Sequence, residues 1–137
     1  MQLNPYLNFN GNCAAAFKFY EKNLGGKIEM TMTFAESPMA EEVLATHRVQ
    51  IMHARMTIDN QVSMGSDAPA DRFEPMKGFS VSLQVNTAAE AEKIFKALSE
   101  KGNVSMPIQK TFWAERFGAL VDQFGTPWMI NCEGEAR

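Results

Sequence analysis

Histidine is nearly missing from this sequence: its 137 residues hold only His47 and His53. Cysteine is as scarce, with Cys13 and Cys132 near opposite ends. One such pair is no disulfide framework in a chain long enough to build its own core, so two reduced, partly buried thiols are expected. Basic excess is missing too. Thirteen Lys and Arg stand against 16 Asp and Glu, for a net charge of −3. The cations fall singly, as at Lys18, Lys22, Lys27, Arg48 and Arg55, which argues against a nucleic-acid surface. No apolar run approaches the length that spans a membrane, and the N-terminal MQLNPYLNFNG lacks the basic-then-apolar pattern of a signal peptide. A cytoplasmic protein with neither nucleic acid nor membrane as partner is the simplest expectation. Gly-x-x-x-x-Gly-Lys and Gly-x-Gly-x-x-Gly phosphate loops, a serine nucleophile elbow and a glycine-rich methyl-donor loop are all missing.

What is present is ordinary globular material, 45% hydrophobic and 21% charged. A chain of this size buries about two-thirds of its unfolded surface and falls in the range of one domain, here 1–137. Ten methionines are more than usual. They suit either pliable core filling or an adaptable pocket wall, and composition does not choose.

The chain is written twice. Leu7-Asn8-Phe9-Asn10 alternates as a strand does, Gly11-Asn12 breaks it with Asn12 placed as an N-cap, and Cys13, Phe17, Tyr20 and Leu24 then recur at helical spacing until Gly25-Gly26. Further on, Val81–Val85 alternates, Thr87 and Glu90 form a capping box, and Ala91, Ile94, Phe95 and Leu98 make the apolar stripe of a helix ending around Gly102. Leu7 falls on Val81, Phe9 on Leu83, Phe17 on Ala91, Tyr20 on Ile94 and Leu24 on Leu98. Three strands are expected after each helix. In the first half they are Ile28–Phe34, His47–Ile58 and Gln61–Ser66, with a hairpin turn at Asp59-Asn60. In the second they are Val104–Ile108, Gly118–Asp122 and Pro127–Asn131. Each half therefore reads βαβββ. Module 1 covers about 1–67, module 2 about 79–137, and the Pro- and charge-rich stretch 68–78 connects them. Glu36–Ala45 is an insertion, expected as a loop with a short helix.

The segments PYLNFNGN, AFKFYEKNLGG, IMHARMTI, VSMGSDAP and, above all, TFWAERFGALVDQFGTPWMIN resemble the PhnB-like branch of the vicinal oxygen chelate superfamily, which includes glyoxalase I, extradiol dioxygenases and the fosfomycin and bleomycin resistance proteins. The likeness covers nearly the whole chain. It implies an α+β fold in which two βαβββ modules form a curved mixed-sheet cup, and it implies a homodimer. In metal-using members the ligands come from the first and last strand of each module. Here those regions hold Asn4, Pro5 and Tyr6, then Ser63–Ser66 and Asp67, then Phe79 and Ser80, and finally Met129. The resemblance thus implies a superfamily metal site largely erased, and neither a metal nor another cofactor is expected.

His47 and His53, placed on one strand, would lie about 20 Å apart at roughly 3.3 Å per residue, too far to share an ion. His53 could still combine with a carboxylate such as Asp67. It is either a hydrogen-bonded strand histidine or a polar group facing the cup that moves protons near neutral pH. Alternation along the strands gives the candidate ligand-binding set: Tyr6, Asn8, His53, Ser80, Ser82, Gln84, Met129 and Asn131. Trp113 joins it as an aromatic beside Phe112 that suits a pocket rim, a dimer contact or core equally. These groups fit hydrogen bonding to a small organic ligand. The alternative is an isomerase, lyase or oxygenase using His53, with or without a divalent metal.

Overall fold

Eight strands and two helices follow one another in the computed structural model, which describes residues 1–134. They fall into two compact units, one running from Met1 to Pro75 and the next beginning at Met76.

In the first unit the order is β1 (Tyr6–Phe9), α1 (Cys13–Leu24), β2 (Lys27–Thr33), β3 (Ile51–Ile58) and β4 (Gln61–Asp67). The sheet runs β1-β4-β3-β2, with β1 parallel to β4 and the other pairs antiparallel. Asp59 and Asn60 both have positive φ, 46° and 67°, as the tight turn between β3 and β4 requires. Cys13, Ala16, Phe17 and Tyr20 form the buried stripe of α1, and Gly25 ends the helix in the left-handed region. The stripe covers Leu7 and Phe9 of β1 and Ala54 and Met56 of β3, all at most 1% exposed. Phe17 lies against Gly65, where a Cβ would stand 2.9 Å from the ring. Leu24, expected in the core, is only half-buried.

Asn12 occupies the N-cap position, but its side chain makes no capping bond. Asp67 does related work from the end of β4. Its Oδ1 accepts the Cys13 N–H at 2.9 Å and its Oδ2 accepts the Ile51 N–H at 2.9 Å, so one buried carboxylate ties helix, β3 and β4 together.

The stretch between β2 and β3 corrects two expectations. Phe34 is not strand, because Phe34–Glu36 forms a 3₁₀ turn capped by a full Thr33–Glu36 box. His47 is not on β3 either. It ends a 3₁₀ turn, Ala45–His47, and packs on Phe34 with ring centroids 4.2 Å apart. The strand starts at Ile51 because 34–50 forms a folded excursion closed by Phe34 N–H to Gln50 O and Ala35 N–H to Arg48 O. A third short turn, Ala40–Glu42, lies within it.

The second unit repeats the plan: β5 (Val81–Gln84), α2 (Ala88–Ser99), β6 (Asn103–Gln109), β7 (Arg116–Val121) and β8 (Pro127–Cys132), in the order β5-β8-β7-β6. Thr87 Oγ1 accepts the Glu90 N–H at 3.1 Å, the forward half of the expected box. Ala91, Phe95 and Leu98 are the buried face of α2, whereas Ile94 is half-buried. Phe95 lies against Gly118 of β7, where a Cβ would meet the ring at 2.6 Å. Trp128, Ile130 and Cys132 of β8 complete this core. Asp122 organises the last turn: Oδ1 accepts the N–H groups of Phe124 and Thr126, and Oδ2 accepts Trp128 Nε1–H at 2.8 Å. Each unit is thus one open four-stranded mixed sheet with a helix on one face, the expected α+β pair of βαβββ units. Cys13 and Cys132 are both buried and free, one in each unit.

Candidate functional site

A strand offers alternate residues to opposite faces, so the helix-packed positions define by subtraction what each sheet presents on its other side. In the first unit Leu7, Phe9, Ala54 and Met56 face α1. Tyr6, Asn8, His53 and Arg55 therefore share the helix-free face, joined through the register by Met64, Ser66, Met30 and Met32. Tyr6 Oη and His53 Nδ1 share a hydrogen bond of 3.3 Å, whose direction the ring's tautomer sets, and the two rings stack with centroids 5.8 Å apart. Ser66 Oγ donates a long hydrogen bond of 3.5 Å to Asn8 Oδ1. Arg55 Nε pairs with Glu29 Oε2 at 3.2 Å, so the guanidinium is balanced in place.

Asp67 is on the opposite side. It pairs with Phe9 in the β1–β4 register, is 2% exposed, and has both oxygens engaged by backbone N–H groups. A His53–Asp67 ligand pair is therefore not formed: the two side chains leave β3 and β4 on different faces. Burial, with the Asp67 charge as the lesser cause, also pushes the Cys13 thiol far above its ordinary value, so this thiol stays protonated.

In the second unit Trp128, Ile130 and Cys132 face α2, which leaves Met129 and Asn131 on the helix-free face. Ser82 and Gln84 of β5 are their register partners, and Phe117 of β7 lies opposite Asn131. Asn131 Nδ2 donates to Gln84 Oε1 at 2.8 Å, and Gln84 Nε2 reaches Ser82 Oγ at 3.4 Å. Trp113 meets Phe117 edge-on at 5.3 Å and leaves almost half of its own surface open. Of the three roles open to Trp113 on sequence, core is thereby removed. Ser80 is exposed and precedes β5.

The candidate residues thus gather as two sets, each on the helix-free face of its own sheet, except Ser80 and Trp113, which stands on the loop between β6 and β7. The sequence reading missed Phe117, Met30, Met32 and Met64. Their alternation was visible, but which face the helix takes depends on strand order, and no single strand carries that information.

A divalent site of the superfamily's kind needs several His or carboxylate donors converging on one ion. No group of three or more His, Cys, Asp or Glu is so placed among the described residues. On the two faces His53 is already bonded through Nδ1, Glu29 is held by Arg55, and the second face offers hydroxyl, amide and thioether groups alone. The donor set does not fit such an ion. Among the described residues no helix is long and apolar enough to cross a membrane.

Comparison with known proteins adds three relatives. The family model described as 3-demethylubiquinone-9 3-methyltransferase matches residues 1–131. Protein YjdN of Escherichia coli (strain K12) is 34% identical over 139 residues, covering 96% of this chain and 95% of that one. The crystal structure of protein PA1353 from Pseudomonas aeruginosa superposes with a TM-score of 0.90 at 45% identity, over 98% of this chain and 99% of that one. A Bacillus cereus structure named as a putative 3-demethylubiquinone-9 3-methyltransferase, PhnB protein, gives 0.82 at 22% identity over 96% and 99%, a likeness of fold.

Proposed function

The chain belongs to the PhnB-like family of the vicinal oxygen chelate superfamily, and from that premise we propose that it is a cytoplasmic small-molecule-binding protein working without a metal. The observation that carries the reading is where the methionines stand. Met56 alone is buried in a core, while Met30, Met32 and Met64 lie on the helix-free face of the first sheet and Met106 and Met129 on that of the second. Thioether side chains are flexible and polarizable, and on an exposed face they form a surface that adapts to an apolar ligand. The polar groups among them, Tyr6, Asn8 and His53 on one face and Ser82, Gln84 and Asn131 on the other, orient a ligand by hydrogen bonds; Ser80 stands at the margin. Methyl transfer, the activity in the matching family's description, is not the one assigned: the sheets are mixed, and the Gly-rich turn of a dinucleotide-type site is missing from the sequence.

The Tyr6–His53 contact favours a second reading, an isomerase, lyase or oxygenase on the same scaffold. With Nδ1 held by Tyr6, His53 keeps Nε2 for a substrate, the arrangement a general acid or base needs.

The test is a fragment screen by ¹H–¹⁵N NMR on untagged protein in EDTA, beside calorimetric titration of Zn²⁺, Ni²⁺, Mn²⁺ and Fe²⁺ into wild type and His53→Ala. Fragments that shift resonances on the helix-free faces in EDTA are expected, with no stoichiometric metal uptake. Micromolar metal binding lost in His53→Ala would replace the binding reading by the enzymatic one.

A further inference from the structure

Asn131 carries an unpaired polar atom on β8. It is 9% exposed, its Nδ2 is bonded to Gln84, and its Oδ1 is buried without a hydrogen-bond partner. Turning the amide over exchanges one orphan for the other, because Gln84 meets only one end of it. A buried amide oxygen left unpaired is unfavourable, and such a group points to a partner that arrives from outside.

What surrounds it narrows that partner. Phe117, opposite Asn131 in the β7–β8 register, is 7% exposed and carries Trp113 edge-on against its ring. Trp113 is 48% exposed, and Phe112, edge-on to Trp113 at 4.8 Å, is 97% exposed. The loop holding these two rings is tied at its base. The Ala114 N–H donates to Thr111 Oγ1 at 3.1 Å and the Thr111 N–H donates to Ala114 O at 3.0 Å. The indole is thus linked to the strand position of the amide through Phe117. Ser82, Gln84, Ala119 and Met129, the neighbouring strand positions, are all uncharged. Gln84 is exposed and its onward contact to Ser82 is long, so Gln84 is the side chain that yields as a ligand edge enters.

Resting on the small-molecule reading, we propose that this face is a subsite for an uncharged, planar aromatic molecule with an N–H or O–H donor on its ring edge. The ring packs on Trp113 and the donor meets Asn131 Oδ1. Aromatic packing supplies area at low entropic cost, and the amide supplies orientation.

The experiment uses two probes on the whole chain: 4(3H)-quinazolinone and its N3-methyl derivative, which keeps the ring but lacks the donor. Binding is followed by the backbone amides of the whole chain, the two indole N–H signals and the Asn131 side-chain amide. The unmethylated probe is expected to shift the Trp113 indole and the Asn131 amide, leave the Trp128 indole in place, and bind about tenfold more tightly than the methylated one, as one buried hydrogen bond implies. Trp113→Ala should lose both probes, and Asn131→Leu should lose only the preference. Equal affinity of the two probes for wild type overturns the donor assignment even if a variant misfolds. Shifts confined to Tyr6 and His53 overturn this subsite and leave the general binding reading standing; no shift on either face overturns both. A Trp113 signal that follows protein concentration instead of probe shows the ring covered by a second copy, which also overturns the proposal.

Discussion

At Asp67 a carboxylate on the last residue of β4 takes up backbone N–H groups from α1 and β3, three elements held by one side chain. Nothing near it in the sequence announces this, since its partners are 54 and 16 residues away. Asn12 stands at the cap but makes no capping bond, its backbone (φ −116°, ψ 20°) lying outside the extended geometry a cap side chain uses. Cys13 itself is fully buried beside that carboxylate, and burial, then the Asp67 charge, raises its thiol above the ordinary value. The consequence for stability has a definite sign. Above about pH 8.5 the unfolded thiol ionises while the folded one stays protonated, so the native state binds more protons and stability falls as pH rises. Cys13→Ala should flatten that alkaline decline. Urea midpoints measured from pH 7 to pH 10 check it, and parallel slopes for both proteins would refute it. Of the site, the residues whose face follows from simple alternation were legible: Tyr6 with Asn8, and Met129 with Asn131. Phe117 and the methionines of β2 and β4 were not, because their placement is a property of pairing between strands.

The elements were legible where one periodicity holds without interruption. The end of α1 and the start of α2 are found where expected, since Gly25 and the Thr87–Glu90 pair are local signals. The stretch 34–50 was not, because its turns are too short to show a period and are closed by bonds to residues far along the chain. Its misreading placed His47 on β3 and made a ligand-spacing argument from a strand that does not exist there. Matching apolar stripes likewise overstated Leu24. Each helix has one ring seated closely on a sheet glycine, Phe17 on Gly65 and Phe95 on Gly118. Leu98, with no exposure, should lose about 2–5 kcal/mol on replacement by Ala, and half-buried Leu24 less than half as much. Chemical denaturation of both variants measures this; equal losses would mean that the two leucines are packed alike.

Each unit has its own sheet, helix and core, yet each is near or below the roughly 70–80 residues at which a lone core supplies about 3–5 kcal/mol. We propose that the two units nevertheless unfold together as one domain, 1–137. Further stabilisation is available from association. Both sheets are open, with β1 and β2 as the edges of one and β5 and β6 as the edges of the other, and exposed edges invite pairing or covering. Phe79 adds a large exposed ring. A second copy related by a two-fold axis is the common solution for a chain of this kind, and we propose it here. Folding and association are then linked by mass action, so the midpoint of thermal unfolding must rise with protein concentration. The expected outcome is a single calorimetric transition that moves upward over a hundredfold increase in protein concentration, with light scattering giving twice the 15.3 kDa chain mass. Two separate transitions would dissolve the single domain into two. A midpoint independent of concentration, together with the mass of one chain at micromolar levels, would remove the dimer.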